Sequence, residues 1–117
     1  MERIIKFRGK HINGYGWIYG DLVHNTFDGK KNIKIGIHIK NIYPIEVIPE
    51  TVGQFIGLKD KNGKDIYEGD ETNGGELIIF DNGSFKTTYK GDIQGGGLLT
   101  KQRCKYIEIT GSIHDKL

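Results

Sequence analysis

The sequence predicts an all-β protein, and three observations carry that prediction. Glycine accounts for 18 of 117 residues, about twice the usual share of ~7%. The turn dipeptides Asn13-Gly14, Asp28-Gly29, Asn62-Gly63, Asn73-Gly74 and Asn82-Gly83 punctuate the chain, and both residue types tolerate the positive φ of tight turns. Between the turns apolar and polar residues alternate with the two-residue period of a strand, and hardly any segment sustains a helical period.

Taken in order, the first strand is expected around Ile5 and Phe7, which alternate with Lys6 and Arg8 to give a basic outer face. Asn13-Gly14 turns the chain into a second strand, Trp17 to Val23, and His24 to Asn32 reads as a polar loop. Ile33 to Lys40 is the clearest strand. Its isoleucines at 33, 35, 37 and 39 share one face, so a one-residue slip would expose all of them. Pro44 and Pro49 bracket a short edge strand, Ile45 to Ile48. Thr51 to Leu58 is ambiguous. Ile48, Val52, Phe55 and Ile56 have helical spacing, yet Gly53 and Gly57 would each cost a helix about 1 kcal/mol, which favours a strand. Asp60-Lys61-Asn62-Gly63 then turns the chain into a second arm, Lys64 to Tyr67. Strands follow at Glu76–Phe80 and Ser84–Lys90, joined through Asp81-Asn82-Gly83. Gly91 to Gly97 reads as a flexible loop. Alternation predicts a last strand from Cys104 to Thr110, with Ile107 and Ile109 facing in and Ile113 continuing the edge.

Composition excludes several classes of function. The net charge is +2, too small for a strong nucleic-acid footprint overall. It is unevenly spread: residues 1–40 sum to +5, residues 41–80 to −5 and residues 81–117 to +2. One basic and one acidic face would follow from such polarity, as would self-association through opposed faces. The charges on solvated strand faces explain the sums equally well. A single cysteine, Cys104, excludes an internal disulfide and fits a reducing compartment. The N-terminus lacks the apolar core of a signal peptide, and apolar runs are short, so no membrane span is expected. These features lead to the expectation of a soluble, cytoplasmic protein.

No constellation reads as a reaction centre. Asp60, Asn62 and Glu71 fall at positions one, three and twelve of a calcium-type loop, but Lys64 and Asp65 occupy positions five and six, where a ligand and glycine are required. Gly14, Gly16 and Gly20 lack dinucleotide spacing, and Trp17-Ile18-Tyr19 reads as strand where a helix should start. His11, His24, His38 and His114 are scattered, a poor start for zinc. Cys104 reads as a partly buried structural thiol. Glu68 and Asp70 share a face of an extended strand, but Asp70 is better suited to accepting backbone hydrogen bonds that fix the turn at Gly69. No metal, cofactor or enzyme activity is therefore expected. One candidate contact surface remains. Lys6, Arg8 and Lys10 alternate on one strand and Lys34 and Lys40 on another, with Trp17 and Tyr19 near the first set. Basic groups interleaved with aromatics can bind phosphates and stack bases; a solvated basic face with the aromatics in the core is the competing account.

The run Glu50 to Asp70 carries Gly53, Gly57, Asp60, Gly63, Tyr67, Glu68, Gly69 and Asp70. With Ile5-Lys6-Phe7-Arg8-Gly9-Lys10, Trp17-Ile18-Tyr19-Gly20 and the closing Ile107-Glu108-Ile109-Thr110-Gly111-Ser112-Ile113-His114, it makes the chain resemble the YopX family of phage and prophage proteins over almost its whole length. The resemblance implies a protein from phages of Gram-positive bacteria, with no established biochemical activity, whose C-terminal part is an SH3-like barrel. With the SH3-like barrel that the resemblance implies, the expected fold is an antiparallel N-terminal meander, residues 1–49, packed on a small SH3-like barrel, residues 50–117. The chain departs from the family pattern at Glu71-Thr72-Asn73-Gly74-Gly75, which implies a shortened first barrel strand. Three functions follow: a non-catalytic binding module for a host or phage protein, a nucleic-acid-associated accessory protein using the basic first third, and, least supported, an enzyme.

Overall fold

The computed structural model describes residues 4–26, 33–38, 45–89 and 97–115; for residues 24–26 and 33–38 it describes the backbone alone. The chain is all-β, with one 3-10 turn and one helical turn among the described residues. It divides into two units, residues 1–54 and 55–117.

The first unit is an antiparallel meander of β1 (Phe7–Lys10), β2 (Trp17–Thr26), β3 (Ile33–His38) and β4 (Ile45–Glu46). The β1–β2 connection turns through Gly14 at φ +82° and Gly16 at φ +94°, and is closed by the His11 N–H donating to the Gly16 carbonyl at 2.9 Å. β2 runs on to Thr26, past the point where a polar loop is expected at His24, because His24, Asn25 and Thr26 pair with Ile35, Lys34 and Ile33. Backbone pairing there outweighs the polarity of the side chains. The strand expected from Ile33 is present through His38, and the expected β4 forms with Val47 bridging to His11. Ile39 and Lys40 lie outside the described residues.

The helical spacing around Val52 yields only a 3-10 turn, Pro49–Thr51, with Pro49 in the first turn, where its missing N–H costs nothing. The favoured strand follows as β5 (Gly53–Lys59), and its first two residues pair with β1 through Arg8–Gly53 and Phe7–Gln54. Thr51 fastens this corner. It is 1% exposed; its hydroxyl donates to the Ile48 carbonyl at 2.6 Å and accepts from the Lys10 N–H at 2.8 Å. A Cβ added to Gly9 would lie 2.7 Å from Val47 Cγ2. Only glycine allows that approach.

In the second unit β5 pairs with β6 (Asp65–Tyr67), Phe55 opposite Tyr67 and Lys59 opposite Asp65. The register shifts between those pairs, where Gly57 takes φ +89°, the geometry of a bulge. The remaining strands are β7 (Asp70–Thr72), β8 (Glu76–Asp81), β9 (Ser84–Tyr89) and β10 (Ile109–Ser112), in the sheet order β10-β7-β8-β9. β7 is short, as the departure after Asp70 implies, yet it pairs on both sides. Leu98 bridges to Lys86 on β9. Ile66, Ile78, Cys104, Ile107 and Ile109 form the core, with half-buried Ile56, Leu58 and Leu99 packed against it.

The last expected strand needs correction. Lys101–Cys104 is a helical turn, α1, and the strand begins only at Ile109. Thr100 starts the turn: its Oγ1 accepts from the Arg103 N–H at 3.1 Å, and its carbonyl accepts from the Cys104 N–H at 3.0 Å. Ile107 and Ile109 do face inward, so alternation identifies the buried positions correctly and the backbone between them wrongly. Ile113 lies beyond β10 and is exposed. The loop expected at Gly91–Gly97 falls, up to residue 96, outside the described residues.

Candidate functional site

The run from Gly53 to Asp70 is built from backbone geometry held by two buried carboxylates. Asp60, 6% exposed, uses one oxygen to accept from the Asn62 and Lys64 N–H groups at 2.8 and 2.9 Å. Its other oxygen accepts from the Ile109 N–H at 3.0 Å. Burial pushes the Asp60 carboxyl up, but the Ile109, Lys64 and Asn62 amides and the Lys64 charge outweigh it, so the group titrates below its ordinary value. The turn is closed by the Gly63 N–H donating to the Asp60 carbonyl, with Gly63 at φ +80°. Both oxygens thus accept from main-chain amides, tying the turn to Ile109.

Asp70 is 1% exposed and accepts from the Tyr67 N–H at 2.8 Å, in the backbone-accepting role its position suggests. Between them Gly69, at φ +88°, donates its N–H to the Ile78 carbonyl and accepts from the Ile113 N–H. Tyr67 packs on Phe55 with ring centroids 5.7 Å apart, and Glu68 is half-buried.

The basic and aromatic residues of the first unit take an arrangement that neither sequence account foresees. Lys10 pairs with Trp17 and Arg8 with Tyr19 across β1 and β2, which places the four on one face. The Arg8 guanidinium carbon sits 4.2 Å from the Trp17 ring centroid and the Lys10 ammonium 5.5 Å away, both within cation–π range. Arg8 is 5% and Lys10 8% exposed. The expected solvated basic face is therefore corrected: the cations are covered, while Tyr19 is exposed and Trp17 and Lys6 are half-buried. Alternation tells which side of the sheet a residue takes, not which side is covered. Lys34 belongs to β3 opposite Asn25; its side chain and all of Lys40 lie outside the described residues.

A further polar cluster escapes sequence reasoning. Arg103 donates to Glu76 Oε2 at 2.7 Å, to Thr87 Oγ1 at 2.6 Å and to the Gly97 and Leu98 carbonyls at 2.7 and 3.2 Å. It fastens the returning segment onto β9. Its partners are distant in sequence, and no local signal connects them. Cys104 beside it is 1% exposed; burial pushes its thiol up, Arg103 opposes that and Asp60 adds to it. A thiol so placed is a poor nucleophile, as its structural reading requires. His11 Nδ1 accepts from the Asn13 N–H at 3.0 Å, and its ring packs edge-on to Tyr15. Among the described residues no three His, Cys, Asp or Glu side chains form a metal-binding group, and no helix is long and apolar enough to cross a membrane.

The model for the YopX protein family matches residues 6–116. The chain belongs to the YopX family. A search of the curated proteins finds no match. In this YopX chain the Glu50–Asp70 run of glycines and carboxylates is a set of turns and locks. On the β8–β9 hairpin Phe80 and Tyr89 share a sheet face with the buried Ile78 and Thr87, yet each is about half exposed at its end of that face.

Proposed function

We propose that this YopX-family chain is a non-catalytic binding module for a protein partner, encoded by a phage or prophage and working in the bacterial cytoplasm. The observation that carries this reading is the division of labour in the second unit. Its buried polar groups Asp60, Asp70 and Thr87, with the half-buried Arg103, are spent on internal hydrogen bonds, whereas Phe80 and Tyr89 leave half their surface exposed on the β8–β9 hairpin. Phe80 rests edge-on against Phe85 at 5.1 Å, which holds the ring without covering it. Exposed, pre-positioned aromatics bring large contact area at little entropic cost. The strand order β10-β7-β8-β9, the Leu98 bridge beyond β9 and the helical turn before β10 support an SH3-like reading of this unit.

The test compares wild type with Phe80→Ser in affinity capture from lysate of a Gram-positive host. A partner retained by wild type and lost by a variant of unchanged melting temperature is expected. Identical captures from both, or none above control, would overturn the proposal. The nucleic-acid alternative has the +5 charge of residues 1–40 in its favour, but the cover over Arg8 and Lys10 weakens it. It predicts a salt-dependent affinity reduced by Lys6→Ala; no binding at low salt would remove it.

A further inference from the structure

Four Asn-Gly steps lie in described turns: Asn13-Gly14, Asn62-Gly63, Asn73-Gly74 and Asn82-Gly83. This dipeptide is the one most prone to spontaneous deamidation. The glycine nitrogen attacks the asparagine Cγ and loses its proton, and the side-chain nitrogen leaves as ammonia. Water then opens the resulting succinimide at either carbonyl, giving aspartate or isoaspartate. Reaction requires a glycine N–H free of hydrogen bonds and an asparagine side chain free to swing onto the backbone.

The four sites differ on both requirements. The Gly14 N–H donates to the His11 carbonyl at 2.8 Å, the Gly63 N–H to the Asp60 carbonyl at 3.0 Å and the Gly74 N–H to Thr72 Oγ1 at 3.2 Å. Two of the side chains are also engaged, Asn62 donating to Glu108 Oε1 at 3.4 Å and Asn73 accepting from the Glu108 N–H at 3.3 Å. The Gly83 N–H donates to no group among the described residues. Asn82 and Gly83 are exposed at the tip of β8–β9, with open space around Gly83. Asn82 sits at φ 50°, the one described residue other than glycine with positive φ. The turn must leave that conformation for Cγ to reach the nitrogen, and no packing at the tip opposes the movement.

We propose that Asn82-Gly83 is the preferred deamidation site of the folded protein. The product carries a new carboxylate beside Asp81, whose existing charge is paired with Lys86 at 2.7 Å. The isoaspartate form also lengthens the main chain by one carbon inside a turn that joins the Asp81–Ser84 pair, so it alters the hairpin that presents Phe80.

The test incubates the full chain at mildly alkaline pH, folded and in denaturant, and follows the four Asn-Gly peptides by mass spectrometry. In the folded protein the position-82 peptide should convert about fivefold faster than the other three, the factor corresponding to about 1 kcal/mol for one backbone hydrogen bond. In denaturant the four rates should converge. Comparable rates at all four sites in the folded state, or a faster reaction at Asn13, Asn62 or Asn73, would overturn the assignment. Asn82→Gln, which keeps an amide but cannot close the five-membered ring, should remove the fast phase and leave the slow ones unchanged; a fast phase that survives it would likewise overturn the assignment.

Discussion

The two units bury charge by opposite means. In the first, Arg8 and Lys10 are covered while lying against the Trp17 ring. In the second, Asp60 and Asp70 are covered while accepting from main-chain N–H groups. The amides hold Asp60 in a directional lock that ties its own turn, at Asn62 and Lys64, to Ile109. The indole offers a broad, less directional attraction that tolerates long flexible side chains. Carboxylates therefore set turn geometry here, and cations contribute to the packing of a strand face.

Removing one partner at a time would measure the contrast. Asp60→Ala should have the largest effect, about 3 kcal/mol lost in denaturant unfolding, because it leaves three amides without their acceptor. An effect within the error of a surface substitution would refute the lock. Gly9→Val should come next, at about 2 kcal/mol, since its Cβ would meet Val47 at 2.7 Å and force β1 from its neighbour. Trp17→Leu should cost about 1 kcal/mol beyond the area lost, the cation–π share. If Trp17→Leu is as costly as Asp60→Ala, the distinction between directional and diffuse charge burial fails.

Acid titration gives the smallest and finest test. Asp60 is depressed in the folded state, so its stabilisation is fully present above the ordinary carboxylate pKa and is lost as pH falls through the lower folded value. Asp60→Asn should flatten the part of the stability curve that lies below the ordinary carboxylate pKa. An unchanged slope would assign the acid sensitivity to other carboxylates.

The same contrast explains what was legible in the sequence. The Asp60–Gly63 turn is local chemistry within four residues, and the strands at Ile33 and Glu76 announce themselves by alternation. The covering of Arg8 and Lys10 depends on what packs over β1, which no alternation encodes. The final strand misleads because Ile107 and Ile109 bury with strand-like spacing while Thr100 caps a helical turn just upstream. The Arg103 cluster is illegible for a plainer reason: Glu76, Thr87 and Gly97 come together only when the sheet forms.

One bond pattern has a practical reach. Gly69 sits inside the family signature, yet its carbonyl takes the Ile113 N–H while its own N–H goes to Ile78. The turn at Ile113 is thus sewn to the middle of the sequence. Cutting the chain before Ile113 would leave the Gly69 carbonyl without that donor, a loss felt inside the signature itself.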